Sequence, residues 1–103
     1  MSLSITRELK NLVKTGTYTL GARESIRAVA TGKAKMLIIA ENARPDLRER
    51  ALYLARLGNI PVYIFPGTSV DLGVAAGKPF RVSMIAVIDE GESQILRFAE
   101  EQG

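Results

Sequence analysis

Residues Thr17 to Arg27 read TYTLGARESIR, a short β-prone run, a glycine, and then a helix-forming stretch with Arg23 and Arg27 one turn apart. A glycine at such a junction lets another backbone approach, because no Cβ intervenes. The first turn of a helix offers unpaired N–H groups and a partial positive charge. Two arginines added there suit a polyanion. Two further segments carry the same chemistry: Asn42-Ala43-Arg44 and Lys78-Pro79-Phe80-Arg81, the latter followed by Val82. Arg23, Arg27, Arg44, Lys78 and Arg81 can neutralise phosphates or reach guanine edges. Glu24 and Asn42 can hydrogen-bond base edges. Phe80, between a proline and an arginine, suits stacking on an unpaired base of irregular RNA. Each also has an ordinary structural reading: Gly21 as a turn glycine, Asn42 as a helix cap near Pro45, Phe80 as core. Arg23 and Arg27 can equally form a solvated helix face with Glu24.

Other chemistries lack their parts. The chain has no cysteine and no histidine, which removes thiols, disulfides and the commonest general base and metal ligand. No G-x-G-x-x-G string follows a strand. GVAAGK at Gly73–Lys78 is one residue short of a phosphate loop, has Pro79 where Ser or Thr should stand, and ends a helix instead of opening one. Asp89, Glu90 and Glu92 read as a solvated acidic turn, not a metal site. Ser25, Ser69 and Ser83 have no histidine to activate them. The expectation is a protein without catalysis and without a cofactor.

The elements that must position these residues follow from periodicity. Ile5, Leu9, Leu12 and Val13 mark a first helix ended by Gly16. Tyr18 to Leu20 is a strand. Ala22, Ile26, Val29 and Ala30 mark a second helix. Met36 to Ala40 is an unbroken apolar run, expected of a strand covered on both faces. Pro45 and Asp46 open a third helix, closed by Gly58-Asn59. Val62 to Phe65 is the next strand. Thr68 and Asp71 have capping-box spacing before a short helix limited by Gly73 and Gly77. Ser83 to Ile88 is the last strand, and Gly91 to Gln102 the last helix. The alternation predicts one domain over residues 1–103, a three-layer α/β/α sandwich around a mixed four-stranded sheet. Ligands of open α/β sheets bind at the carboxyl ends of strands. Gly21–Glu24, Glu41–Arg44 and Pro66–Thr68 are such loops; Lys78–Arg81 enters the last strand instead, so it joins the same edge only if that strand runs antiparallel to its neighbours, as we expect.

Composition agrees with a polyanionic partner. The chain has 103 residues and a net charge of +3. Residues 1–88 carry 13 Lys and Arg against 6 Asp and Glu, and residues 89–103 carry 1 against 5. A basic body with an acidic tail suggests a polyanion bound away from the C-terminus. No apolar run has membrane-spanning length, and the N-terminus shows no secretory pattern. A soluble intracellular domain is the natural expectation.

The blocks TYTLGARESIR, KAKMLIIAENARPD, LARLGNIPVYIFPGTSVDLGVAAGKPFRVS and IDEGESQIL together resemble the ribosomal protein "L thirty e" family of archaea and eukaryotes. The NARPD string is similar to archaeal members. The resemblance spans nearly the whole chain. It implies an α/β/α fold of the kink-turn RNA-binding superfamily. It also implies a structural, cytoplasmic component of the large ribosomal subunit that binds ribosomal RNA, beside neighbouring ribosomal proteins. The sequence shows no strong sign of oligomerisation, so a monomer off the ribosome is the expectation. By position, Gly21, Arg23, Glu24 and Arg27 match the family's first RNA-contacting segment. Asn42 matches a residue that reads a sheared purine pair, and Phe80, Arg81 and Val82 match the third contacting loop. Box C/D-type relatives usually have Asn at the position of Arg23, so arginine here fits the ribosomal branch. The competing readings are a non-ribosomal kink-turn binder for assembly or regulation, a protein–protein module, and a small nucleotide-binding enzyme.

Overall fold

The computed structural model describes residues 4–102, with side chains to residue 99. Its elements run α1 (Ile5–Thr15), β1 (Thr17–Leu20), α2 (Ala22–Ala30), β2 (Met36–Ala40), α3 (Pro45–Leu57), β3 (Val62–Phe65), α4 (Ser69–Ala75), β4 (Met84–Asp89) and α5 (Arg97–Gln102). The four strands form one sheet in the order β1-β4-β2-β3. β2 and β3 are parallel, and β4 is antiparallel to both β1 and β2. The expected reversal of the last strand is therefore present.

Alternation along the central strands explains the layers. Successive side chains of a strand point to opposite faces. Met36, Ile38, Ala40, Ile85 and Val87 pack with Leu9 and Leu12 of α1, Leu72 of α4 and Phe98 of α5. Leu37, Ile39, Met84 and Ala86 pack with Ala28 and Val29 of α2 and Ala51 and Ala55 of α3. All five residues of β2 are fully buried, as a strand between two helical layers requires. Each large apolar side chain buried here contributes roughly 1.5–3 kcal/mol relative to exposure.

Helix ends follow local chemistry. Ser4 caps α1 by accepting from the Arg7 N–H. Thr68 and Asp71 form the expected reciprocal capping box on α4. Pro45 stands at the first turn of α3. The one marked departure is the last helix, which starts at Arg97 and not at Gly91. Buried Glu8 is the reason. Its Oε1 accepts from the Gln94 N–H at 2.7 Å, while Ser93 Oγ donates to the Glu8 carbonyl at 2.7 Å. Those bonds hold residues 91–96 against α1 as two turns joined by an irregular link at Ser93 and Gln94.

Candidate nucleic-acid interface

The strand directions gather the three loops. β1, β2 and β3 end at one edge of the sheet, and β4 begins there, with Leu20 opposite Ile85, Ile39 opposite Met84 and Ala40 opposite Phe65. Short bonds then stitch the loops together. The Gly21 N–H donates to the Met84 carbonyl at 2.8 Å, and the Ala40 N–H to Ser83 at 2.9 Å. The Glu41 N–H reaches the Gly67 carbonyl at 2.9 Å, and the Val82 N–H the Ser69 carbonyl at 3.0 Å. Gly21, Asn42 and Phe80 thus belong to one hydrogen-bonded rim.

Gly21 has φ 91° and ψ 161°, a conformation that L side chains rarely adopt. An added Cβ would meet nothing within 4 Å. The backbone is therefore exposed to an approaching partner. Gly21 is also the N-cap of α2, and Arg44 is the N-cap of α3; neither end has a side-chain cap. Both helices so present uncapped N-termini at this edge, where N–H groups and partial positive charge favour anions.

The charged residues divide into two groups. Arg23 and Arg81 are exposed and enter no ion pair among the described residues. Arg44 meets Asp46 at 3.0 Å, and Arg27 meets Glu24 at 4.0 Å. These pairs are exposed, and such pairs are worth little. Arg27 lies one turn deeper along α2 than Arg23. Both line an open groove of about 410 Å³ between α2 and α3, together with Arg50. Arg50 was not singled out from sequence, because its place opposite α2 depends on the α2–α3 packing.

Asn42 does not cap the nearby α3. Its Oδ1 accepts from the Ser69 N–H at 2.8 Å, at the start of α4. That bond assigns the oxygen to the protein, so Nδ2 is the end left to donate outward. Asn42, Arg44, Ser69 and Arg81 border a cleft of about 300 Å³ at the edge. Phe80 is 54% exposed, and Val70 and Val74 beside it are also exposed. With Lys78 and Arg81 they surround a shallow depression of about 340 Å³. The stacking reading of Phe80 needs this exposure, and a core reading does not survive it.

Two candidates hold different positions from those their residue types suggested. Val82 is 1% exposed and lies in the core, so its side chain is not part of the surface. It anchors the loop from beneath. Lys78 is half-buried, with Nζ 5.7 Å from the centroid of the Tyr18 ring. That cation–π contact ties the third loop to β1. Gly73 is the other unforeseen residue. A Cβ there would overlap the Phe80 carbonyl oxygen, so only glycine lets the third loop lie on α4.

These features define a three-layer α/β/α protein with a cationic, partly aromatic rim at the carboxyl ends of its parallel strands. Comparison with known proteins makes the class specific. Residues 4–97 match the model of the Ribosomal protein L7Ae/L30e/S12e/Gadd45 family. The chain is 48% identical to the large ribosomal subunit protein eL30 of Aeropyrum pernix, over 96% of this chain and 99% of that protein. It is 44% identical to the protein of the same name from Saccharolobus solfataricus, over 97% and 93%, respectively. For that of Sulfurisphaera tokodaii the identity is 47%, over 91% and 89%. The chain belongs to the Ribosomal protein L7Ae/L30e/S12e/Gadd45 family.

Proposed function

We propose that this chain is a structural constituent of the large ribosomal subunit, a non-catalytic domain that binds ribosomal RNA at a kink-turn or internal loop. The observation that carries the reading is the stitched rim: Gly21, Asn42 and Phe80 come from three separate loops and share one edge. Similarity to proteins named eL30 supports the ribosomal setting, and hence the cytoplasm. No helix among the described residues is long and apolar enough to cross a membrane.

The roles follow from chemistry. The Gly21 backbone and the uncapped start of α2 accept close approach of a phosphate strand. Arg23, Arg44 and Arg81, with Arg27 further along α2, neutralise phosphates. Lys78 adds charge and, through Tyr18, steadies its loop. Asn42 donates through Nδ2 to an acceptor on a purine, and Glu24 accepts from an amino group. Phe80 stacks on a base that has left the helix. A regular A-form duplex hides its major groove and offers no unstacked base, so a bent or looped RNA is the fitting target. The protein binds it as a single copy.

A gel-shift titration tests this. It compares a kink-turn RNA with the same RNA carrying Watson–Crick pairs in place of its sheared G·A pairs. The kink-turn RNA binds more tightly; equal affinities would refute kink-specific recognition.

A further inference from the structure

We infer that Thr68 and Asp71, which lie outside the RNA-facing cleft, are positioning residues that set the direction of the Asn42 amide. The inference rests on the RNA-binding role proposed above. α4 is the template on which two of the three loops are registered. The Ser69 N–H holds Asn42 Oδ1 at 2.8 Å, and the Ser69 carbonyl holds the Val82 N–H at 3.0 Å. One buried residue thereby fixes both the second and the third loop.

Ser69 is the first residue of a short helix, where N–H groups lack intrahelical partners and the turn frays easily. The capping box prevents this. Asp71 Oδ2 accepts from the Thr68 N–H at 2.9 Å and from Thr68 Oγ1 at 3.1 Å. Thr68 Oγ1 in turn accepts from the Asp71 N–H at 3.3 Å. With the first turn held, the Ser69 N–H has one direction, and so does the Asn42 side chain. Asp71 itself lines a different depression, between α1 and α4, with Thr6 and Lys10.

The charge of Asp71 makes the test sharp. Removing an acidic group from a protein that binds a polyanion strengthens binding if charge alone matters. Positioning predicts the opposite sign. Asp71→Ala and Thr68→Ala are expected to weaken kink-turn RNA binding roughly three- to tenfold. Thr68→Ser, which keeps the hydroxyl, retains wild-type affinity. The preference for kink-turn RNA over its Watson–Crick-substituted form falls, while the salt dependence of binding stays the same. In combination with Asn42→Ala, Asp71→Ala costs less than it does alone, because the amide it orients is already removed and only the Ser69–Val82 bond remains to be loosened. Equal or tighter binding by Asp71→Ala, or an additive loss in the double variant, overturns the inference. Should Asp71→Ala not fold, Thr68→Ala alone decides. An NMR arm without RNA separates this inference from the functional reading. The Asn42 side-chain amide is rigid in the wild-type protein and mobile in Thr68→Ala. If wild-type protein fails to distinguish the two RNAs, the functional reading fails, while the amide measurement still judges the positioning. Identical amide mobility in both proteins overturns it.

Discussion

The two ends of the sheet use the same residue types to opposite ends. At the edge away from the rim, two glycines are pressed against backbone: a Cβ on Gly16 would overlap the Asp89 carbonyl, and one on Gly91 the Thr15 carbonyl. Glu8 is buried and its acceptors are used by Ser93 and Gln94. Lys35 pairs with Glu90 at 3.0 Å. At the rim, Gly21 faces open space, Asn42 keeps its amino group outward, Phe80 is exposed, and Arg23 and Arg81 enter no ion pair among the described residues. One end spends its polar groups on cohesion. The other leaves several of them, Arg23, Arg81 and the Asn42 amino group, available to the partner proposed above.

Substitutions break or sharpen this contrast. The largest effect is expected from Gly91→Ala. It forces a φ of +60° on a side chain that also overlaps backbone. Thermal denaturation should show a loss of about 3 kcal/mol or more, while the folded fraction keeps its RNA affinity. Gly21→Ala reverses the pattern. Its open surroundings limit the cost to backbone strain of about 1–3 kcal/mol, but calorimetric titration should show a clear loss of RNA affinity. If both glycines behaved alike, the contrast between the ends would be lost.

Next comes Asn42→Ala, expected to weaken binding by about 1–3 kcal/mol through loss of the proposed base contact, and to lower stability because it strands the Ser69 N–H. Phe80→Ala follows at about 1–3 kcal/mol; unchanged affinity would remove the ring from the site. Arg81→Gln should lower the magnitude of the log–log salt slope by about 0.7–0.9, the value for one phosphate contact. A steeper slope would contradict its assignment.

The smallest effect belongs to Lys35→Met at the cohesive end. A hydrogen bond from its own backbone N–H, and then one from Lys35, holds the Glu90 carboxyl below its usual range. The hydrogen bond to Glu90, and then its charge, raises Lys35. Glu90's contribution is present above the ordinary glutamate pKa and is lost as pH falls through its lowered value. Lys35's is present below the ordinary lysine pKa and is lost as pH rises through its raised value. The variant should therefore be slightly less stable at neutral pH and match the wild type in strong acid and strong alkali. A deficit that persisted in acid would mean the lysine acts by packing.

Much of this was legible in the chain. The apolar run at Met36–Ala40, the helical stripes and the Thr68–Asp71 spacing led to the right elements, layers and reversed last strand. What escaped depends on partners distant in sequence. Asn42 looked like a cap for the adjacent helix, but its partner Ser69 is 27 residues away. The last helix was expected from Gly91 because nothing local reveals that Glu8, 86 residues before Gln94, takes its N–H. Gly73 read as a limit on helix length, whereas its purpose is the passage of the Phe80 carbonyl.

The most direct measurement is amide chemical-shift mapping of the isotope-labelled protein against a kink-turn RNA. The account predicts that Gly21, Asn42 and Phe80 shift together at one RNA equivalent while Lys35, Glu90 and Gly91 stay in place. Shifts confined to one of the three loops, or centred on Lys35 and Glu90, would contradict it.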